Sequence, residues 1–174
     1  MQKQKNAAGA SMLEMLMYLG LVMVISVGAM RMYGESVEKT RRIDLSGRLE
    51  DIKKAVRLAY IGRDWDLGKT EDARAIYLEG KGVKLSTPWG GKIRVGVANA
   101  SGIYKRPIFV VKVYDLSQAS CMWLASSTTD AACVVANGTS YAAAANCITD
   151  PAKASSACNK EGEANEVDMV YYKE

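Results

Sequence analysis

An apolar stretch near the N-terminus limits most strongly what this chain can fold into. Residues 12–30 are almost entirely apolar, with Glu14 and Ser26 as the main interruptions, and Arg31 ends the stretch. A helix of the 18 residues that end at Met30 is about 27 Å long, near the lower limit for crossing a bilayer. The first nine residues carry two lysines and no acid. We therefore expect the N-terminus to stay cytoplasmic and the rest of the chain to be exported.

The helical pattern continues beyond this stretch. An apolar stripe follows it, formed by Leu45, Leu49, Ile52, Val56 and Ala59. The spacings of four, three, four and three residues place these side chains on one face of a helix, and we expect the basic residues between them to lie on solvated faces. No proline occurs before residue 88 to break the helix. We predict one helix from about residue 11 to residue 60.

The remainder of the chain predicts a small sheet. Residues 62–91 are rich in turn-forming residues, and we expect a loop there with a short helix at residues 71–77. Residues 92–98 alternate between apolar and polar, which is typical of a half-buried strand. Residues 107–114 are apolar on both faces, as in a central strand, and residues 167–172 form a third candidate. The expected fold class is α+β, with the C-terminal half of the long helix packed on an antiparallel sheet.

The cysteines predict a disulfide-bounded C-terminal region. All of them follow residue 120, at Cys121, Cys133, Cys147 and Cys158. None forms a CxxC pair, so zinc and redox motifs fit poorly. An even number confined to one region suggests two disulfides and an oxidising compartment. Four cysteines allow three pairings, and the residues alone leave the choice open.

The composition argues against several functional classes. The chain of 174 residues has no histidine, which removes Ser-His-Asp and Cys-His catalysis and histidine-ligated zinc. A net charge of +4, from 23 basic and 19 acidic residues, is too small and dispersed for a nucleic-acid surface. The Gly-Lys-Thr at residues 68–70 lacks the first glycine of a phosphate-binding loop, because residue 63 is Arg63. We expect no enzymatic activity, cofactor, metal or nucleic-acid partner.

Glu14 is the most informative residue of the apolar stretch. A carboxylate costs about 2.5–3.5 kcal/mol at the centre of a bilayer and less near its edge, so such residues usually have a functional partner. Glu14 stands five positions after Gly9. Cleavage after Gly9 would make Ala10 the new N-terminus, and a free α-amine with a pKa of about 7.7–8.0 is largely cationic at neutral pH. The amine of one chain would then meet Glu14 of a staggered neighbour.

These residues resemble the type IV pilins. The features shared with that family are the basic leader, Gly9, the small residue after it, Glu14 and the long apolar helix. The resemblance implies that a prepilin peptidase cleaves between Gly9 and Ala10 and that the amine of Ala10 is N-methylated. It also implies that Glu14 acts in subunit assembly. The implied partners are identical pilin subunits, the peptidase and the assembly platform of the inner membrane.

The resemblance further implies three segments. Residues 1–9 form the prepilin leader, residues 10–34 the hydrophobic transmembrane and assembly helix, and residues 35–174 a periplasmic or extracellular globular pilin domain. The protein is then expected in the bacterial inner membrane as a single-pass protein with a periplasmic C-terminus, and later in an extracellular pilus. A role of the pilus in adhesion, aggregation or conjugation stays open.

Two further stretches resemble the type IVb branch of the family. They are Thr-Pro-Trp-Gly-Gly at residues 87–91 and the segment at residues 116–121, which resembles a short helix that carries the first cysteine. The resemblance implies that Cys121 pairs with Cys158 and that Cys133 pairs with Cys147 inside that loop. The short leader and Ala10 as the first mature residue depart from the usual type IVb pattern.

Several alternatives stay open at this stage. Small residues at positions 26–28 would also suit a secretory signal peptide, although such a peptide gains nothing from Glu14. A minor pilin or a pseudopilin of low copy number would use the same helix. From another class, a membrane-tethered periplasmic enzyme or binding domain would keep its function with an exchanged, uncleaved anchor, although the lack of histidine and of any spaced catalytic set argues against it. Asn137-Gly138-Thr139 matches a glycosylation sequon, but its turn-forming composition explains it without modification.

Overall fold

The computed structural model describes residues 12–60, 70–98, 104, 108–128, 130–138, 146–162 and 164–172. In chain order, the described elements are α1 (Met12–Tyr60), α2 (Glu71–Gly80), β1 (Ile93–Ala98), β2 (Ile108–Leu116), α3 (Gln118–Ser127), β3 (Cys133–Ala136), α4 (Pro151–Ala157) and β4 (Asn165–Tyr172). The chain divides into two compact units between Thr40 and Arg41. Each unit is described by itself below.

The helix α1 confirms the prediction of one long helix. It continues without interruption to Tyr60, whereas the predicted start at residue 11 lies outside the described residues. Leu45, Ile52 and Val56 are completely buried and Leu49 is nearly so, which confirms the apolar stripe. Burial of each such side chain stabilises the fold by about 1.5–3 kcal/mol. The C-terminal part of α1 is therefore part of the core of the second unit.

The four strands form one antiparallel sheet in the order β1-β2-β4-β3. The central position of β2 agrees with its apolar sequence on both faces. Phe109, Val111 and Val113 pack in the core that contains the stripe of α1, whereas Ile108 and Val110 belong to a smaller cluster on the opposite face. The sheet is thus buried on one face by α1 and partly buried on the other.

The motif at residues 87–91 forms the tight turn that leads into β1. The backbone N–H of Gly90 donates to the carbonyl of Thr87 at 3.1 Å, and the N–H of Gly91 donates to Thr87 Oγ1 at 2.8 Å. Gly90 has a φ of 92°, a conformation that favours glycine. A Cβ atom on Gly91 would lie 2.3 Å from the carbonyl oxygen of Tyr114. Both glycines are therefore needed for the turn to approach the end of β2.

Two elements were not expected from the residues, namely β3 and α4. The strand β3 has four residues, all buried, and it pairs with β4 through Cys133–Ala136 opposite residues 167–170. The helix α4 has seven residues; Pro151 lies in its first turn, and Asp150 caps its N-terminus by accepting from the N–H of Lys153 at 2.8 Å. Two short elements thus organise a stretch that is poor in large apolar residues.

Two disulfides close this C-terminal region. Cys121 of α3 is bonded to Cys158, which follows α4, and Cys133 of β3 is bonded to Cys147. These are the pairs that the resemblance to type IVb pilins implies. Their Cα–Cα distances of 5.8 and 5.2 Å are ordinary for disulfides. Because each bond limits the unfolded chain, it stabilises the region by about 2–4 kcal/mol.

Asn137 completes the connection between β3 and β4. Its Nδ2 donates to the carbonyl of Ala157 at 2.7 Å and to Asn165 Oδ1 at 3.0 Å. Its Oδ1 accepts from the N–H of Glu166 at 3.1 Å. Both protons of the amide are therefore engaged within the fold, which agrees with a turn residue rather than with a glycosylated one.

Candidate assembly site

The first unit presents an apolar surface that none of its described residues covers. All described side chains at residues 12–36 are exposed; Met17, Val24 and Met30, for example, are 69–74% exposed. A contiguous apolar surface of this kind marks a site that binds a membrane or another protein. The helix is long and apolar enough to cross a membrane, and none of its apolar window is buried. By its length and composition, this segment therefore suits a lipid or protein environment.

Glu14 is the only charged residue within residues 12–30. It is exposed, and among the described residues its carboxylate has no hydrogen-bond or ion-pair partner. Ser26 differs, because its Oγ donates to the carbonyl of Val22 at 2.8 Å and is satisfied within the helix. In a dry helical bundle Glu14 would therefore need a cation from outside its own described segment. Gly9 and Ala10, the predicted cleavage and methylation residues, lie outside the described residues.

In the second unit, a buried lysine connects α1 to the C-terminal region. Lys53 is only 5% exposed and forms ion pairs with Glu50 and with Asp130. Its Nζ also lies 5.2 Å from the centre of the Tyr171 ring, and burial raises the pKa of that tyrosine. The expectation of a solvated basic face is wrong for Lys53, because Asp130, which lies 77 residues later, supplies the charge that permits burial.

The face of the sheet opposite α1 carries a charged row across three strands. Arg94 of β1 is opposite Lys112 of β2, which is opposite Asp168 of β4. Glu71 of α2 lies 3.5 Å from Arg94 and 3.6 Å from Lys112. Burial raises the pKa of Asp168 to about 6, and Lys112 opposes this effect. The row ties α2 to the sheet. Sequence reasoning missed it, although the polar positions of the alternating strands were a usable signal.

Neither charged group forms a metal site. Within the part of the chain that the structure describes, no three His, Cys, Asp or Glu side chains converge as metal ligands do. The first unit instead has an exposed apolar helix, and the second unit is a globular fold with a buried core.

A comparison with solved structures defines the class of this fold. The chain is similar to a type IVb pilin from Salmonella typhi, known from its crystal structure, with a TM-score of 0.52 and 16% sequence identity. The match covers 76% of this chain and 96% of that chain. Both the long N-terminal helix and the antiparallel sheet agree with this class, so the protein has the fold of a type IV pilin.

A family model then identifies the family. The family described as PilS N terminal matches residues 75–171, which is more than half of the chain and includes β1, β2, β3 and all of β4 except its last residue. The chain belongs to this family and is a type IV pilin, which confirms the resemblance and the α+β fold class. A search of curated proteins finds no match. The role of a pilin is structural, as a subunit of a pilus.

Proposed function

We propose that the protein is a prepilin that matures into the polymerising subunit of a type IVb-like pilus. The observation that carries the proposal is the exposed apolar surface of α1 with the single carboxylate of Glu14 inside it. Before assembly, residues 10–34 anchor the chain in the inner membrane, with residues 35–174 in the periplasm. The assembly platform then transfers the helix from lipid into the centre of a fibre.

Maturation creates the N-terminus that assembly uses. A prepilin peptidase cleaves between Gly9 and Ala10 and methylates the Ala10 amine. Loss of the leader removes Lys3 and Lys5, and because the leader has no acid, the net charge falls from +4 to +2. Cleavage therefore also removes the basic residues that hold the N-terminus at the cytoplasmic surface.

Apolar contacts and Glu14 have different roles in assembly. Burial of apolar area stabilises a bundle by about 25 cal/mol per Å² relative to water, but it discriminates poorly between registers, since a shifted helix still meets apolar side chains. A carboxylate without a partner in a dry bundle costs several kcal/mol. The pair between Glu14 and the Ala10 amine of a neighbour thus selects one stagger.

Substitution of Glu14 tests this mechanism. We expect Glu14→Ala to be cleaved normally but to yield few or no filaments in sheared fractions. Glu35→Ala is a matched control, because Glu35 is exposed on the same helix and its side chain has no partner among the described residues. Normal filament yield for Glu14→Ala, or an equal loss for both variants, would contradict the register mechanism.

A low-copy role is tested separately. A minor pilin or pseudopilin would share the helix and the maturation step but would be present at a tip or in few copies. Immunogold labelling distinguishes the two roles: we expect uniform label along the filaments, and label confined to tips would support the minor subunit.

A further inference from the structure

The two flanks of the globular unit carry opposite charge. Residues 41–98 contain 13 basic and 8 acidic residues, a net charge of +5, whereas residues 117–172 contain 2 basic and 6 acidic residues, a net charge of −4. The first range includes β1, at one edge of the sheet, and the second includes β3, at the other edge. The helix α2 packs on β1, whereas α3 packs on β4 and β3, and α4 packs on α3 and β3. The net charge therefore has opposite sign in these two parts of the chain.

The basic flank contains a groove between α1 and the segment that follows α2. It encloses about 560 Å³ and continues into a second hollow of about 260 Å³ along α1. Its apolar part is formed by Ala55, Leu58, Tyr77 and Val83. We call this the basic groove, because its charged borders include Arg48, Lys54, Lys81 and Lys84.

The cations of the basic groove are only partly neutralised. Arg48 pairs with Asp44 at 2.7 Å. Lys54 and Lys84, in contrast, are exposed and have no ion-pair partner among the described residues. Asp51 is the one remaining acid that the described lining of the groove contains. The groove thus offers free positive charge beside exposed apolar area.

The acidic flank offers the complementary groups. Glu161 is exposed between α4 and β4, and Glu166 is half-buried near the start of β4. We call these two residues the acidic edge. Neither carboxylate has an ion-pair partner among the described residues. The third acid of this part of the sheet, Asp168, faces Lys112 instead.

We propose that the basic groove of one subunit docks the acidic edge of a second copy of this chain. The proposal rests on the proposed function, since it concerns contacts between pilin subunits. Contact between two different surfaces is heterologous, and it extends into an open helical assembly instead of closing as a dimer. Complementary charge fixes which surfaces meet and in which register. Such exposed pairs weaken with salt, because the Debye length is about 8 Å at physiological ionic strength.

Charge reversal tests the proposal in the full-length chain. In Lys54→Glu/Lys84→Glu the groove becomes acidic and repels the acidic edge, so we expect the yield of sheared filament to fall by about tenfold or more. Glu161→Lys/Glu166→Lys should cause the same loss. The chain with all four substitutions has complementary surfaces again, and we expect it to recover filaments.

The matched control is Lys153→Glu/Lys160→Glu, which reverses two exposed lysines outside the groove. It adds negative charge beside the acidic edge, so filaments should be retained. Circular dichroism of each purified variant establishes that it is folded.

The outcomes separate this proposal from the proposed function. If the unaltered chain forms no filaments, the proposed function fails. If the unaltered chain and the groove variant form filaments at the same yield, the docking contact is overturned and the proposed function stands. The same holds if the chain with all four substitutions does not recover filaments. If the groove binds another acidic polymer and the charge reversals do not change the filament yield, the docking contact is also overturned.

Discussion

Replacement of Asp168 by asparagine should stabilise this protein at neutral pH. Asp168 lies in β4 on the face of the sheet opposite α1, and its Oδ1 is buried without a hydrogen-bond partner among the described residues. Burial disfavours the charged carboxylate and raises its pKa from 3.8 to about 6, although Lys112 favours the charged form. Glu166 and Glu71 face it as well and raise the pKa further. At pH 7 the fold therefore contains an ionised group in an unfavourable place.

The magnitude follows from the difference between the two pKa values. One pKa unit corresponds to 1.36 kcal/mol, so a rise from 3.8 to about 6 corresponds to about 3 kcal/mol. Because the folded state binds the proton more tightly than the unfolded chain, this contribution to stability is complete below about pH 4 and is lost as the pH rises to about 6. This shift already includes the attraction of Lys112, and because Asp168 is only partly buried, solvent screening reduces the penalty, so we expect Asp168→Asn to gain about 1–3 kcal/mol above pH 6.

Urea unfolding of the full chain in detergent, followed from pH 4 to pH 8, measures this effect. The free energy of unfolding of Asp168→Asn minus that of the unaltered protein should increase between pH 4 and pH 6 and then stay constant. Asp51→Asn is the control, because Asp51 is exposed and should give a small difference at every pH. A difference for Asp168→Asn that does not change with pH, or a variant that is less stable at pH 8, would refute the reasoning.

Two further predictions concern the turn before β1 and the larger disulfide. Gly91→Ala should lower the free energy of unfolding by about 2 kcal/mol or more, because its Cβ would lie 2.3 Å from the Tyr114 carbonyl oxygen; Gly80→Ala, where a Cβ has open space, should not, and equal urea midpoints would contradict this. Cys121→Ser should cost about 2–5 kcal/mol and leave a free thiol at Cys158, which is buried in the folded chain and should react with a thiol reagent once the chain is unfolded without reductant; a free thiol at another cysteine would indicate a different pairing.

The sequence predicted those elements whose own periodicity is strong. Neighbouring residues are enough to predict a helix from the stripe of α1 and strands from the alternation of β1 and the apolar sequence of β2. In contrast, β3 is too short to show a period, and its four residues form a strand because β4 and Cys147 hold them. The strand β4 begins two residues earlier than expected, at Asn165, because the side-chain amide of Asn165 donates to the carbonyls of Leu116 and Lys160, which are distant in sequence or outside the strand pattern.

The candidate site divides in the same way. Glu14 was recognisable from sequence because a charge inside an apolar stretch is a local signal. Lys53 was misassigned to a solvated face, since its partner Asp130 is 77 residues away. The basic groove was not recognisable at all, because it forms only when α1 meets the segment after α2.

The chemical nature of the N-terminus of the filament subunit tests the central claim most directly. Sheared filaments would be purified, and the subunit analysed by N-terminal sequencing and by intact mass. The account predicts a chain that begins at Ala10 with a methylated amine. A subunit that retains the first nine residues, or one that begins after the small residues at positions 26–28, would contradict it.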